Sequence, residues 1–487
     1  MANLKALLLL ALVLYCAMLA AVSQEKARSR ERGEEEEEEE MEPWKTGKEA
    51  EERGRREKKE QEEQELRFLL KDARRVVSTE AGEMRVVRGY AGVAITEKPL
   101  HIGFITMEPR SLFIPQYLDS SLIIFLRRGE AKIGLIFKDE LVERQLRAGD
   151  VYRLPAGSAF YIVNTGEGQR LHIICSIDLS EGLGFNSFQS FFIAGGANPT
   201  SVLAGFDPQT LSTAFNVSID KLGEIMIGQQ AGPIVYIDAH GPIIWSNFLK
   251  LKQQEKLQHL KRMVPVEVDN EEKQDQPKWS VSKLFNSLLL GEENQKGRDQ
   301  KGERKAGPDP YNLYERSPDF INKYGWSLAV DHHDYSPLKK SDIGIYLVNL
   351  TAGSMMAPHV NPRASEYGIV LKGSGTIHIV YPNGTSALKA KLKEGSVFWV
   401  PRYFPFCQIA ARSGPFEFFG FTTSSHRNRP QFLVGASSIL KTMRGPELAV
   451  AFGVTEERLR EIIDAQREAI ILPSPAAAPP DERREGL

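Results

Sequence analysis

The chain has 487 residues, with 62 basic against 64 acidic side chains and a formal net charge of −2. This balance argues against a general nucleic-acid-binding protein, which carries a strong basic excess. Three cysteines exclude both a disulfide-rich scaffold and a multi-cysteine zinc domain, and the length allows roughly two to four domains.

Residues 1–23 have the composition of a secretory signal peptide. Lys5 precedes an unbroken apolar run from Ala6 to Ala21, which ends in small residues at Ser23. The run is short for a membrane span, which needs about 20 residues. We therefore predict a cleaved signal, entry into the secretory pathway and no membrane anchor afterwards.

The next segment, residues 24–67, is dominated by charge. It contains seven consecutive glutamates, Glu34 to Glu40, followed by mixed lysine, arginine and glutamate. Such a segment buries too little apolar surface to offset the entropy of ordering. We predict a disordered, solvated extension.

Residues 68–235 have the pattern of a β domain followed by a helical arm. Short apolar or alternating runs such as Ser121–Leu126 and Ala131–Phe137 are typical of a sandwich or barrel. From Asn198 the pattern becomes helical, and Ser218 is a candidate N-cap, as is Thr455 later in the chain. Cys175 and Cys407 lie in apolar runs, so we expect buried free thiols.

An internal repeat relates the two halves of the chain, because three segments recur in the same order about 240 residues later. The pairs are Gly149–Pro155 with Gly395–Pro401, Phe192–Gly195 with Phe432–Gly435, and Ala214–Ser218 with Ala451–Thr455. We therefore predict a second β domain with a helical arm at residues 311–472.

One polar segment lies between the two domains, and another follows the second domain. Residues 236–310 form a connector, and its part 291–307 is charged and nearly free of apolar residues. Residues 473–487 are rich in proline and alanine and then in charge. We predict disorder in 291–307 and in 473–487.

The duplicated pattern of glycine, five residues and proline resembles the second motif of cupins. In the second half, Gly353, His359, Asn361, Glu366 and Gly373 fall on the spacing of the first cupin motif. Two cupins with helical arms, behind a signal and a Glu/Arg-rich extension, resemble a vicilin-type 7S seed storage globulin. The stretch from Tyr311 to Pro318 is also similar to the entry of the second vicilin cupin.

The resemblance implies a mainly β fold with two cupin jelly-roll β-sandwich or barrel domains, each followed by a helical extension. It also implies a non-enzymatic nutrient reservoir in protein storage vacuoles, and a homotrimer held through the helical arms. Leu440 to Ile471 carries apolar residues at helical spacing, which a neighbouring subunit or the chain's own sandwich could cover.

The same resemblance identifies the positions at which cupin enzymes bind a divalent metal, with three histidines and a glutamate. In the first half, Pro115 to Leu122 contains no histidine or glutamate, and Phe160 replaces the remaining histidine. In the second half His359 and Glu366 match, whereas Asn361 and Phe406 replace two histidines. We therefore predict no catalytic residue, no cofactor and only degenerate metal positions at His359, Asn361 and Glu366.

Two alternatives to storage remain at this point, and both use the second pocket. One is a metal-dependent cupin enzyme, and the other is a module that binds a small anion or other ligand at His359, Arg363 and Arg402. His378 is a further candidate for the pocket interior, and Tyr403, at the position of Gly157, is expected to narrow its mouth. The other histidines do not assemble a site, since adjacent His332 and His333 would point to opposite faces of a strand.

Three sequons provide candidate glycosylation sites at Asn383, Asn349 and Asn216. Asn383 lies in a turn sequence and is the strongest candidate. Asn349 follows an apolar run and Asn216 lies at a helix junction, so burial or a turn role is the alternative for each.

Overall fold

The structure, a computed structural model, describes residues 67–89, 99–180, 188–237, 307–426 and 428–480. The predicted signal peptide (1–23), almost all of the charged extension (24–67), and residues 238–306 of the connector lie outside the described residues. Mainly β structure fills the described ranges, as the alternating patterns predict.

The N-terminal half contains twelve described strands, a 3₁₀ turn at Val202–Gly205 and two α-helices. The strands are β1 (Ala73–Thr79), β2 (Gly82–Val87), β3 (His101–Met107), β4 (Ser111–Leu118), β5 (Leu122–Arg128), β6 (Glu130–Phe137), β7 (Glu140–Arg147), β8 (Asp150–Leu154), β9 (Phe160–Asn164), β10 (Leu171–Ile177), β11 (Ser190–Phe192) and β12 (Ile234–Tyr236). The helices are α1 (Pro208–Phe215) and α2 (Ile219–Ile227).

The C-terminal half again has strands, then helices and a closing strand, and its 3₁₀ turn at Ser336–Lys340 lies among the strands. Its described strands are β13 (Tyr311–Asn312), β14 (Phe320–Asn322), β15 (Gly325–Val330), β16 (Gly344–Leu350), β17 (Ser354–Met356), β18 (His359–Val360), β19 (Glu366–Lys372), β20 (Ser374–Val380), β21 (Ser386–Lys393), β22 (Val397–Val400), β23 (Phe406–Ala410), β24 (Phe416–Thr422), β25 (Gln431–Phe432) and β26 (Ile471–Pro473). The helices are α3 (Ile439–Thr442), α4 (Pro446–Phe452) and α5 (Glu456–Asp464).

Each half forms two antiparallel sheets. In the N-terminal half, one sheet has the order β1-β2-β3-β10-β5-β8-β13 and the other β11-β4-β9-β6-β7, with β12 paired to β4. In the C-terminal half, the orders are β14-β15-β16-β24-β19-β22 and β21-β20-β23-β17-β26, with β18 beside β23 and β25. Alternate residues of these strands enter apolar cores, and the prediction of two cupin sandwiches with helical extensions is confirmed.

The two halves share a third apolar core and exchange short segments. Phe125 and Phe419 stack across this core, with ring centroids 4.1 Å apart and planes 11° apart. Strand β13, assigned by the sequence to the second domain, pairs with β8 of the first. In return, the Leu70 amide donates to the Val397 carbonyl over 3.0 Å, although residue 70 was assigned to the first domain.

Both predicted N-cap residues stand at the start of a helix, but only one of them makes a capping hydrogen bond. The Thr455 hydroxyl accepts a hydrogen bond from the Arg458 amide at the start of α5. Ser218 occupies the N-cap position of α2, but its side chain makes no capping hydrogen bond.

The segment after β26 differs from the predicted disordered tail at 473–487. Residues 473–480 are described, and Ala478 is buried against Cys407, Ile409 and Met355. The Arg412 guanidinium also donates to the Pro475 carbonyl. Composition indicated a solvated tail, but a few small residues can cover a sheet face without a long apolar run.

Cys175 and Cys407 are free and buried, as predicted. Burial raises the pKa of Cys175 to about 12 and that of Cys407 to about 11. Among the described residues, no helix has both the length and the apolar character needed to span a bilayer.

Candidate functional site

Three residues at the predicted metal positions meet near one end of the C-terminal sandwich. His359 begins β18 and Glu366 begins β19, and Asn361 lies in the loop between these strands. All three are buried, with 4%, 7% and 2% of their surfaces exposed respectively. The structure therefore places the three positions in one buried region, where Asn361 contacts Glu366.

Each of these side chains already makes a hydrogen bond within the protein, and Asn361 Oδ1 is left without a partner among the described residues. His359 Nδ1 lies 2.8 Å from the Ala357 carbonyl oxygen, so Nδ1 carries the proton and donates. The Asn361 amide group donates from Nδ2 to Oε1 of Glu366. The amide thus presents protons, and not its oxygen, to the one carboxylate at these positions.

Burial determines the charge of both His359 and Glu366. It lowers the pKa of His359 to about 4, against the smaller opposite effect of the hydrogen bond to Ala357. Burial also raises the pKa of Glu366 to about 7, although Asn361 and Tyr346 favour the charged form. At neutral pH the imidazole is therefore neutral and the carboxyl group is partly protonated.

Aromatic side chains enclose the imidazole. The ring of Phe406, at a predicted ligand position, has its centroid 4.1 Å from that of His359, and the Phe432 centroid lies at 5.2 Å. Tight binding of a transition metal needs several imidazole, thiolate or carboxylate donors. The groups present here do not fit such a metal. They are one imidazole, one hydrogen-bonded carboxyl group, and an amide whose NH₂ group faces the carboxylate. Within the described ranges, no three His, Cys, Asp or Glu residues are placed to hold one.

A cavity of about 710 Å³ opens beside these residues. His359, Glu366 and Gln408 lie in its wall, and Gln408 Oε1 has no hydrogen-bond partner. Arg316 and Arg429 are among the charged residues that line it.

The predicted trio of His359, Arg363 and Arg402 is not brought together. Arg363 is exposed, and the Arg402 guanidinium lies 5.3 Å from the ring centroid of Tyr403. Neither arginine is among the described residues that line the cavity, whereas Arg316 and Arg429 are. The prediction was therefore wrong about which arginines face the pocket, because loop side chains follow no periodicity from which direction can be inferred.

Tyr403 also differs from its predicted role at the mouth. It adopts φ 70°, close to the 73° of its counterpart Gly157, so the turn keeps its left-handed conformation without glycine. Its side chain is 53% exposed and does not line the cavity. The substitution leaves the turn in place and does not narrow this mouth.

Histidines form a cluster that the sequence did not predict. His332 and His333 lie in a turn and not in a strand, and their ring centroids are 4.0 Å apart. The His426 ring lies 5.0 Å from that of His332. His333 and His426 both line the cavity. A strand was assumed for residues 332 and 333, and that assumption was wrong.

His378, a further candidate for the interior, lies on the other side of the sheet. It pairs with Cys407, whereas the neighbouring residue Ile379 pairs with Phe406 and joins the inner core. Alternate residues face opposite sides, so His378 shares the outer face with Cys407.

The described part of the N-terminal half offers no comparable group. Phe160 is 4% exposed and packs in the core of this half, opposite Gln116 of β4. Residues 115–122 place no histidine or glutamate beside it. A metal site here would lack every ligand of the cupin set.

The three sequon asparagines differ in exposure. Asn383 is exposed in the turn between β20 and β21, where its side chain accepts from the Thr385 amide over 3.1 Å. Asn216 is exposed just after α1, at φ 51°. Asn349 is half-buried in β16, between β15 and β24.

Comparisons with known proteins agree with this architecture. The cupin family model matches residues 68–221 and 311–460. A vicilin-like seed storage protein of Arabidopsis thaliana is 56% identical over 423 residues, which cover 85% of this chain and 81% of the relative. A second one from the same plant is 32% identical, over 82% of this chain and 52% of the relative.

Two solved structures with a similar fold are vicilins. The vicilin of Corylus avellana (hazelnut) has a TM-score of 0.65 and 21% identity, over 84% of this chain and 99% of that one. The vicilin of Capsicum annuum has a TM-score of 0.66 and 20% identity, over 84% of this chain and 100% of that one.

Proposed function

Because the chain belongs to the cupin family, and within it to the vicilin-like seed storage proteins, we propose that it serves as a nutrient reservoir in the seed. Its value would lie in the amino acids it holds within a stable bicupin fold. A storage role requires no active site, so support comes from relatives and from the loss of a site that the fold can hold.

The observation that carries this proposal is the replacement of metal ligands by packed side chains. Phe160 and Phe406 fill apolar cores at two ligand positions, and the Asn361 amide is bonded to Glu366. We therefore propose that the protein is not an enzyme and has no metal cofactor. His359, Asn361 and Glu366 then serve as a buried hydrogen-bonded group that maintains the end of the sandwich.

A homotrimer through the helical arms is the second part of the proposal. Leu222 of α2 and Leu459 of α5 are buried, so each arm already packs one side on its own chain. Large apolar residues on the remaining surface are exposed: Phe215, Ile219, Ile225 and Ile227 on the first arm, and Val450, Phe452 and Ile462 on the second. Burial of such surface by a neighbouring copy would be favourable.

Passage through the secretory pathway to protein storage vacuoles is the third part. It rests on the signal-like residues 1–23 and on the family. We propose Asn383 as the glycan-bearing sequon because it is exposed in a turn, and Asn349 as the least accessible in the folded chain. Digestion with a peptide N-glycosidase, comparing wild type with Asn383→Gln, would test this assignment.

Measuring the protein through seed development tests the storage proposal itself. Quantitative immunodetection should show accumulation during maturation, enrichment in isolated storage vacuoles, and loss within days of germination. A constant level through germination, or equal abundance in leaves, would contradict a reservoir role.

A further inference from the structure

A row of lysines runs along one face of β21, the edge strand of a C-terminal sheet. Lys389, Lys391 and Lys393 are exposed and alternate with the buried residues Ala390 and Leu392. Alternate residues of a strand lie roughly 7 Å apart on one face. We name these three residues the lysine face.

Within the described ranges, no acidic side chain pairs with this face. The residues of β20 that pair with the three lysines are His378, Thr376 and Ser374. Among the described residues, none of the three lysines takes part in an ion pair. The pKa of the neighbouring His378 is lowered, mainly because the imidazole is partly buried. The positive charge of Lys389 lowers it further.

In the part of the chain that the structure describes, β21 is also an edge strand. Among the described strands, β21 pairs only with β20, and it ends the sheet order β21-β20-β23-β17-β26. An edge strand presents unpaired backbone groups to which an extended segment can add.

The equivalent strand of the N-terminal half is already contacted by an acidic segment. Strand β7 precedes Gly149 as β21 precedes Gly395, and it too is an edge. The Arg144 guanidinium lies 2.9 Å from the Asp309 carboxylate and donates to the Gly307 carbonyl over 2.7 Å.

A second ion pair extends this contact. Arg147 occupies the position equivalent to Lys393 and binds Glu315. Asp309 and Glu315 therefore contact basic side chains of β7, although Tyr311 and Asn312 between them pair with β8. Arg144 and Arg147 are three residues apart and so lie on opposite faces of the strand, and Arg147 alone corresponds to a member of the lysine face.

We propose that the lysine face binds an extended acidic peptide, whose carboxylates on alternate residues pair with Lys389, Lys391 and Lys393. The strand spacing of the lysines equals that of every second residue in an extended peptide, so the match concerns spacing as well as charge. Exposed pairs of this kind are individually weak, so binding should be sensitive to salt.

Fluorescence anisotropy with two labelled peptides of identical composition tests this proposal. One peptide alternates alanine and glutamate, Ala-Glu-Ala-Glu-Ala-Glu-Ala, and the other groups its three glutamates, Ala-Ala-Glu-Glu-Glu-Ala-Ala. The full-length protein should bind the alternating peptide about threefold or more tightly than the grouped one, because only the alternating peptide can place all three carboxylates on one face.

Two triple variants with equal charge provide the matched comparison. K389Q/K391Q/K393Q should weaken binding of the alternating peptide by about tenfold at low salt. The control K138Q/K339Q/K340Q removes three exposed lysines elsewhere and should change binding by less than about twofold. A circular dichroism melting curve verifies that each variant is folded, and K391Q alone replaces the triple variant if that one unfolds.

Three results would overturn the proposal. They are equal affinity for the two peptides, equal weakening by the two triple variants, and absence of measurable binding by the wild type at low salt. The first two would mean attraction by net charge alone.

Discussion

His359 and Phe406 lie opposite each other on neighbouring antiparallel strands, with ring centroids 4.1 Å apart. In metal-binding cupins, which this sequence resembles, the position of Phe406 holds a histidine ligand. Here the phenyl ring packs on the imidazole, and the His359 Nδ1 proton is bonded to Ala357. The end of the C-terminal sandwich is thus organised by aromatic packing and hydrogen bonds.

Restoring the missing histidines should therefore restore metal binding. We expect N361H/F406H to bind Co²⁺ at least about a hundredfold more tightly than the wild type, because it would provide three imidazoles and Glu366. Visible absorption of the bound cobalt measures this directly. F160H in the N-terminal half, where other ligands are absent, is the matched control and should bind no more than the wild type. A double variant that behaves like the wild type would contradict our account of the pocket.

The buried carboxyl group should give the protein a specific dependence on pH. The folded pKa of Glu366, about 7, lies above its ordinary value of 4.5. The folded state therefore holds an extra proton between these values, and the stabilisation is complete below pH 4.5 and lost as the pH rises through 7. Relative to the wild type, the free energy of unfolding of Glu366→Gln should rise with pH across this window, by roughly 1 kcal/mol per pH unit.

His359 has the opposite sign and provides the control. Its folded pKa, about 4, lies below the ordinary 6.5, so its stabilisation is present above pH 6.5 and lost as the pH falls through 4. Relative to the wild type, His359→Gln should lose stability with rising pH between these values. Urea unfolding at about pH 4.5, 5.5, 6.5 and 7.5 gives the free energy of unfolding of both variants across most of the two pH ranges. Parallel curves for wild type and Glu366→Gln would be incompatible with a buried titrating carboxyl group.

The ring stack between Phe125 and Phe419 should couple the stability of the two halves. Both side chains are fully buried, so F419A should cost about 3–5 kcal/mol of unfolding free energy, measured by chemical denaturation. Phe206, which is 57% exposed, offers a control whose replacement by alanine should cost less than about 0.5 kcal/mol. An F419A effect as small as that of F206A would contradict a shared core.

The exposed apolar surface of the arms should determine the oligomeric state. Val450 is 79% exposed on α4, and V450D would place a charge in the proposed contact between copies. We expect the light-scattering mass to fall from three chains to one. Ile321 is 67% exposed on β14, outside the arms, so I321D should leave the mass unchanged. An unaltered mass for V450D would argue against the arms as the interface.

Much of the fold could be predicted because its signals are local or repeated. Gly149 and Gly395 both adopt positive φ in the turns before equivalent strands, and this turn chemistry is visible in the sequence. The cupin-like spacing of His359, Asn361 and Glu366 likewise belongs to one short segment, and the structure places all three in one buried region. These features depend on short segments whose conformation follows from neighbouring residues.

The features that sequence did not predict depend on distant segments. Leu70 bonds to Val397, more than 300 residues away, and no local pattern indicates such an exchange. Arg316 and Arg429 face the cavity in place of Arg363 and Arg402 because tertiary packing directs loop side chains. The contact of His332 with His426 likewise joins two loops that are separate in the chain.

The metal content of the native protein tests the central claim most directly. Elemental mass spectrometry on protein purified from seed should find copper, manganese, iron and zinc well below one atom per chain. The contradicting result is about one atom of any of these metals per chain. If the recombinant wild type also holds that metal and the recombinant His359→Ala variant loses it, the pocket is not inert and a metal-dependent cupin is favoured.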